Sequence, residues 1–202
     1  MIADFANRNR AWAGGPDSAT RPDPGVPVLQ HPGPPDAVRR NVLAGHGQKV
    51  WRIPLVAGQT LQTSVLAAMR QLKVSTAGLG LQQAVFSHLR YFEIATSPDV
   101  VPVAHYTTPR DRTGPLELIC AGATVGQTAA GQPAIHCHAL TVDRAGHFVG
   151  GHLLPQACML AQTGVAWLWA LDHMRLVIGD DPEICTPVFH PILSEDNLHG
   201  DH

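Results

Sequence analysis

The sequence lacks the features that mark several large classes of protein. No stretch approaches roughly 18 uninterrupted apolar residues, and the N-terminal residues have no continuous apolar core, so neither a membrane span nor a secretory signal is predicted. Charge of one sign is not in excess either. With 14 Lys and Arg and 16 Asp and Glu, the net charge is −2, which gives no electrostatic reason to expect nucleic acid as a partner. We expect a soluble, cytoplasmic protein.

Short motifs of cofactor sites are also missing. The four cysteines form no Cys-x-x-Cys pair, which indicates a reducing compartment, and Cys137 in its apolar run is predicted to be a small buried residue. The segment Gly78-Leu79-Gly80 lacks the third glycine and the following helix of a dinucleotide-binding fingerprint, so we interpret it as a turn. No cofactor other than a metal is predicted.

The chain contains enough apolar residues for one globular domain. At 202 residues, with 45% apolar and 15% charged residues, it can bury a core of ordinary size. Proline and glycine crowd its beginning, so residues 1–45 are predicted to be a flexible arm. Residues 46–192 are predicted to form the single domain, and residues 193–202 a frayed tail.

Apolar spacing predicts one helix among many strands. Val50–Leu55 is typical of a strand, and from Thr60 to about Lys73 apolar residues recur every three or four positions, which indicates an amphipathic helix. The charged segment Arg110–Arg112 is predicted to be a solvated loop. Further strands are predicted at residues 83–94, 100–106, 116–121, 165–171, 176–178 and 186–189. This pattern predicts an α/β fold of the α+β type, a mainly antiparallel sheet with one principal amphipathic helix packed on it.

Residues 134–155, AIHCHALTVDRAGHFVGGHLLP, are typical of a β-hairpin with two apolar runs joined by a turn. A type I turn closed by a left-handed Gly146 makes a three-residue loop, in which Asp143 faces His147. A one-residue change of loop length would move one strand's side chains to the other face. The three-residue loop places His138 opposite His152, His136 opposite Leu154, Leu140 opposite Gly150 and Val142 opposite Phe148. Gly150 and Gly151 would let another backbone or a ligand approach closely.

Three imidazoles then share one face of the hairpin. Their Cβ atoms are expected about 5 to 7 Å apart, so nitrogens of His136, His138 and His152 can meet one divalent metal, zinc first, at about 2.0 to 2.1 Å. Nickel, copper or iron are alternatives. Three ligands leave a tetrahedral ion one open position, as in catalytic sites, which a carboxylate or a neighbouring subunit could also fill. The competing interpretation is three buried histidines satisfied by backbone carbonyls.

Glu117 is the single carboxylate in the apolar run Leu116–Ala121. A buried carboxylate needs a partner, so Glu117 is expected either to orient a metal-bound histidine or to meet an arginine. In an enzyme, Glu117 would be the candidate acid or base. No other catalytic residue is predicted.

The hairpin resembles the signature of the PPC domain, which occurs in prokaryotes and in plant AT-hook proteins. The residues that carry the resemblance are His136-x-His138, Asp143-x-x-Gly146 and Gly150-Gly151-His152-Leu153 with Pro155 behind them; Gly114–Ile119 is also similar to that family's Gly-Arg-Phe-Glu-Ile-Leu segment. The resemblance implies an α/β fold with an antiparallel sheet, a homotrimer and, from the plant members, DNA binding. This chain has no Arg-Gly-Arg-Pro hook, and Pro115, Leu116 and Gln156 depart from the family pattern.

Three functions are consistent with these residues. The first is a homotrimeric PPC-domain module with a three-histidine divalent-metal site and a DNA-associated or regulatory role. The second is a metal-dependent enzyme, hydrolytic or lyase-type, that uses the open coordination position. The third is a metal-free structural trimer. The expected partners are further copies of the chain and DNA, with no membrane and no small molecule identified.

Overall fold

The computed structural model describes residues 30–35, 49–97, 99, 101–172 and 174–193. Most of the predicted arm and all but the first residue of the predicted tail therefore lie outside the described residues. The elements, in chain order, are β1 (Val50–Leu55), α1 (Leu61–Leu72), β2 (Ala77–Phe92), β3 (Ile94–Thr96), β4 (Ala104–Tyr106), β5 (Arg110–Gln127), β6 (Pro133–Val142), β7 (Phe148–Leu153), a 3₁₀ turn (Pro155–Ala157), β8 (Met159–Ala170), β9 (Met174–Asp181) and β10 (Thr186–Leu193).

Eight of the strands form one sheet, in the order β1-β8-β2-β7-β6-β5-β9-β10, and β3 pairs with β4 in a separate ribbon. β2 also pairs with β5, so β2, β5, β6 and β7 form a closed circuit of hydrogen-bonded neighbours. The parallel pairing among the described strands joins Gln127 of β5 to Val177 of β9, and the other pairings are antiparallel. The predicted fold class is confirmed.

The predicted helix is confirmed, and its ends follow from local chemistry. The Thr60 hydroxyl accepts a hydrogen bond from the Thr63 N–H at 3.1 Å, which caps the first turn. Lys73 adopts a left-handed conformation, φ 57°, and ends the helix. Val65 and Met69 lie on the buried side and pack into the core. The described chain contains no helix long and apolar enough to cross a membrane.

Gly78-Leu79-Gly80 lies inside β2, so the prediction of a turn there is wrong. β2 pairs with β8 at this point, and Gly78 lies opposite Trp169. A Cβ on Gly80 would come within 2.9 Å of the Trp169 ring, which means that glycine leaves room for the indole. Gly80 therefore serves packing between strands and not a reversal of the chain.

Arg110–Arg112 is exposed as predicted, but it begins β5, so the prediction of a loop there is also wrong. The segment pairs with the end of β2, and its charges find partners across that pairing. Arg110 lies 2.9 Å from Glu93, and the Asp111 carboxylate lies 3.0 Å from His88. Within the described part of the strand predicted at residues 100–106, Ala104–Tyr106 forms a strand, while β8, β9 and β10 are longer than predicted.

A short piece of the N-terminal region lies against the turn between β9 and β10. The Gly33 N–H donates a hydrogen bond of 3.0 Å to the Glu183 carbonyl oxygen. A Cβ on Gly33 would overlap the carbonyl oxygen of Pro182, so this approach requires glycine. The contact brings His31 to the same side of the sheet as the end of β4 and the start of β10.

Candidate metal centre

The hairpin of β6 and β7 has the predicted three-residue loop. Gly146 adopts φ 84°, its N–H donates to the Asp143 carbonyl at 3.0 Å, and the Asp143 N–H donates to the His147 carbonyl at 3.0 Å. His138 lies opposite His152, and the pairs Leu140 with Gly150 and Val142 with Phe148 follow as predicted. The register predicted from the turn residues is therefore confirmed.

One predicted pair is wrong, because β7 ends before it. Leu154 leaves the hairpin and donates its N–H to the Arg90 carbonyl of β2 at 2.8 Å. His136 has no partner on β7, and on the other edge of β6 it lies opposite Thr124 of β5. The side chain of His136 still points to the same face as that of His138, since the two residues are separated by one position on β6.

The Asp143 carboxylate fixes the loop. Its Oδ1 accepts hydrogen bonds from the N–H groups of Ala145 and His147 at 2.8 and 2.9 Å, and Oδ2 lies 3.1 Å from the His147 ring. The bond from the His147 N–H contributes most to lowering the pKa of this carboxyl. This ordered turn sets the register on which the histidines depend.

Gly150 and Gly151 let β7 lie close to strands on both of its sides. A Cβ on Gly150 would overlap the Ala139 carbonyl oxygen of β6, and one on Gly151 would overlap the Phe92 carbonyl oxygen of β2. β7 pairs with both strands, so His152 lies opposite His138 on one side and opposite Phe92 on the other. The prediction that the glycines allow another backbone to approach is confirmed.

The three predicted histidines converge on the exposed face of the hairpin. Ring centroids are 4.8 Å apart for His136 and His138, 4.7 Å for His136 and His152, and 5.1 Å for His138 and His152. His152 Nδ1 lies 3.4 Å from His138 Nε2. Nitrogens bound tetrahedrally at 2.0 to 2.1 Å are about 3.4 Å apart. That pair already has the spacing of metal ligands, and one nitrogen of each ring lies within 4.8 Å of the others.

The electrostatics of the cluster favour neutral rings at His136 and His152. Partial burial, followed by the neighbouring His136 and His138, lowers the pKa of His152 to about 4. Partial burial, followed by His138, also lowers the pKa of His136. A neutral imidazole keeps the lone pair that a metal needs. Within the described chain no Asp, Glu or Cys joins the three histidines in this group.

Tyr106 is a neighbour of the cluster that the sequence analysis missed. Its hydroxyl oxygen lies 3.1 Å from His152 Nδ1, and its ring stacks on Phe92 with centroids 5.1 Å apart. Burial raises the pKa of the Tyr106 hydroxyl, which keeps it protonated at neutral pH. Tyr106 comes from β4, and no spacing in the sequence links that strand to the hairpin.

Glu117 is exposed, so the prediction of a buried carboxylate is wrong. The strand alternates here, and Leu116 takes the buried face beside it. Glu117 lies opposite Val142, whereas His138 lies opposite Gly122, five residues further along β5. At about 3.3 Å per residue, the backbone of Glu117 is roughly 15 Å from the cluster.

The prediction that Cys137 is a small buried residue is confirmed. It lies in the core, and burial, then the neighbouring Cys158, raises the pKa of its thiol to about 12. His88 is a surface histidine beside Asp111. Neither residue belongs to the cluster.

A cavity of about 770 Å³ opens beside the three histidines. His136 and Tyr106 stand in its wall, where the cavity meets the cluster. Most of the remaining wall is apolar and comes from β4, β9 and β10, including Ala104, Leu176, Val188 and Phe189. The cluster therefore has a space of ligand size on one side.

No protein-family model and no curated protein sequence matches the chain. Several solved structures do. A metal-containing protein from Archaeoglobus fulgidus has a TM-score of 0.60 at 15% identity, over 74% of this chain and 98% of its own. A plant- and prokaryote-conserved (PPC) protein from Pyrococcus horikoshii has a TM-score of 0.58 at 14% identity, over 75% of this chain and 100% of its own. A protein from Ralstonia eutropha JMP134, provisionally named DNA-binding, has a TM-score of 0.54 at 19% identity, over 69% and 89%.

Sequence identities this low support a shared fold and do not support a shared activity. The matched part covers almost the whole length of each of these proteins. The chain therefore has the fold of the PPC proteins.

Proposed function

We propose that this protein binds a divalent metal, zinc, through His136, His138 and His152. The observation that carries the proposal is the 3.4 Å spacing of His152 Nδ1 and His138 Nε2, two imidazole nitrogens at the separation of tetrahedral ligands. A donor set of imidazoles alone favours zinc among the common divalent ions. The metal-containing protein from Archaeoglobus fulgidus, with the same fold, supports the proposal.

The chain supplies three ligands and leaves one coordination position open. A zinc ion bound there would supply Lewis acidity to whatever molecule takes that position. Gly122, opposite His138, has no atom of the described chain within 4 Å of where its Cβ would be, so the β5 side of the cluster is open among the described residues. On the other side, Tyr106 stands next to the ligand nitrogen of His152 and would hold a proton at its hydroxyl beside the metal.

In the cell, the proposed role is regulatory, as a homotrimer associated with DNA. The homotrimer rests on the family resemblance, and the DNA association on that resemblance and on the Ralstonia eutropha neighbour. Within the described chain, Arg110 and Arg90 both lie near carboxylates, at 2.9 and 3.9 Å, so phosphate contacts would need other basic residues.

A metal-dependent enzyme is the second candidate, and the cavity beside the open position favours it. In that case, Tyr106 is better placed than Glu117 to move a proton. Its hydroxyl lies at the cluster, whereas Glu117 lies on an exposed part of β5.

Metal analysis of the purified protein tests the proposed site. We expect one zinc per chain in the unaltered protein after dialysis against metal-free buffer, and far less in His138→Ala. His88→Ala is the matched control, because His88 is an exposed strand histidine outside the cluster. Equal and negligible metal in all three proteins would overturn the proposed site.

Two further measurements test the cellular role. Light scattering should give three times the chain mass of 21.6 kDa if the chain is a homotrimer. DNA binding measured at rising salt should weaken steeply, because phosphate contacts release counterions. Absence of binding at low salt would remove the DNA association and leave the metal site standing.

A further inference from the structure

The cavity beside the cluster has walls that metal binding alone does not require. It lies between β4 and β10, and apolar side chains such as Ile94, Val188 and Phe189 contribute most of its surface. The described residues that line it include no Asp, Glu, Lys or Arg, and its polar members away from the cluster, such as His31, His105 and Thr186, contribute the smaller part of its surface. A ligand that fills this space therefore has an uncharged, apolar body.

At the end of the cavity next to the histidine cluster, the proposed metal favours a charged ligand group and not an apolar one. Three neutral imidazoles leave a divalent ion with its two positive charges uncompensated, since no described carboxylate joins the group. An anionic donor at the open position would reduce that charge, and it would do so in a partly desolvated site where the interaction is strong. The head group of the ligand is therefore expected to be an anion that binds through oxygen.

Tyr106 adds a hydrogen-bond donor at the boundary between the two parts. Its hydroxyl lies 3.1 Å from His152 Nδ1, and Tyr106 also lines the cavity. If that nitrogen gives its lone pair to a metal, the hydroxyl loses its acceptor in the cluster. A carboxylate oxygen beside the cluster is the acceptor that would replace it, in a charge-assisted hydrogen bond.

We propose that this cavity binds an organic monocarboxylate, with the carboxylate held between the histidine cluster and Tyr106 and the apolar body held between β4 and β10. The inference rests on the proposed metal site, because the metal supplies the positive charge for the head group. It adds the chemical class of the ligand and a residue, Tyr106, that positions it.

A chain-length series on the zinc-loaded full chain tests this inference by calorimetry. The probes are acetate, butyrate, hexanoate and the neutral analogue hexanamide. Each buried methylene should tighten binding roughly fourfold, so hexanoate, with four more methylenes, should bind roughly 250-fold more tightly than acetate. Hexanamide has the same body without the charge and should bind at least about tenfold more weakly than hexanoate.

Two tryptophan substitutions on β10 localise the apolar body. Val188→Trp places an indole in the cavity and should remove the advantage of hexanoate over acetate. Ile192→Trp is the matched control, because Ile192 lies on the same strand, is 42% exposed and is outside the cavity wall. Tyr106→Phe should weaken acetate and hexanoate by a similar factor, roughly tenfold, because it removes only the hydroxyl.

The outcomes separate this inference from the metal site. Absence of zinc in the unaltered protein would overturn both. Zinc that binds through the three histidines, together with equal affinity for acetate and hexanoate, would overturn the cavity assignment alone. Equal affinity for hexanoate and hexanamide would overturn the anionic head group. The series on the unaltered protein decides these points even if Val188→Trp fails to fold.

Discussion

At its loop end the β6–β7 hairpin places one histidine beside a carboxylate, whereas at its other end it places two histidines opposite each other with a third alongside. His147 lies 3.1 Å from Asp143, and that pair helps to order the turn. His138 and His152 lie 3.4 Å apart with no described carboxylate in their group. The same residue type therefore serves two purposes. An imidazole beside a carboxylate forms a structural pair with it. Imidazoles clustered without a carboxylate keep nitrogen lone pairs that can bind a metal.

The largest effect should come from removing a histidine at the cluster end. We expect His152→Ala to weaken zinc binding by more than about a hundredfold, since loss of groups that only support ligands costs about ten- to a hundredfold. His147→Ala removes the loop histidine of the same hairpin and should leave zinc affinity within about twofold. Calorimetric zinc titration measures both. A similar loss of zinc affinity in the two variants would show that the two ends of the hairpin do not differ in metal binding.

The next largest effect should come from Gly150, which lies between the two ends. An alanine there would overlap the Ala139 carbonyl oxygen and push β7 away from β6. We expect Gly150→Ala to lower the free energy of unfolding by about 1–3 kcal/mol and to weaken zinc binding. Gly122→Ala is the control, because its Cβ would enter open space. Denaturant unfolding compares them, and equal stability would show that the close approach is unimportant.

Acid should act on the two ends over different pH ranges. The folded His152 has a pKa of about 4, below its ordinary value of 6.5. The unfolded chain therefore binds more protons between these values, and the metal-free protein should lose stability as pH falls from 6.5 towards 4. The pKa of Asp143 is lowered from 3.8, so its contribution should be lost only below that pH.

Unfolding of metal-free protein at pH 7, 5.5 and 4.5 measures this difference. His152→Ala should show a smaller decline across that range than the unaltered protein. Asp143→Asn should show the same decline as the unaltered protein. A decline that His152→Ala leaves unchanged would mean that another group takes up the protons.

The smallest effect should come from Asp143→Asn at neutral pH. Asparagine keeps a side-chain oxygen for the N–H groups of Ala145 and His147, and it loses only the charge beside the His147 ring. We expect the melting temperature to fall by at most a few degrees and zinc affinity to stay unchanged. A large loss of zinc affinity would show that the loop charge affects the cluster directly.

The hairpin could be predicted from sequence because its determinants are local. Asp143 and Gly146 set the loop, the loop sets the register, and the register brings His138 opposite His152. The end of the hairpin could not be predicted in the same way. Leu154 pairs with Arg90 of β2, a partner far away in the sequence, and this contact ends β7 before His136 is reached.

Other parts of the site depend on contacts between distant strands. Tyr106 reaches His152 because β4 lies beside the hairpin, and the cavity exists because β10 lies opposite β4. The sequence Gly78-Leu79-Gly80 resembles a turn because Trp169, the residue for which Gly80 makes room, lies on another strand. The spacing of apolar residues predicts which side chains share a face of a strand, but it does not predict which strands are neighbours in the sheet.

The open space at Gly122 has a consequence for how metal sites of this fold can change. Gly122 lies opposite His138, so a side chain at this position would share the face of the three histidines. Aspartate or histidine at position 122 could supply a fourth ligand without displacing any neighbour. In the proposed metal centre, such a substitution would replace an external molecule at the fourth position with a protein ligand and make the centre a structural one. Glycine at position 122 leaves the proposed centre with three ligands from the chain.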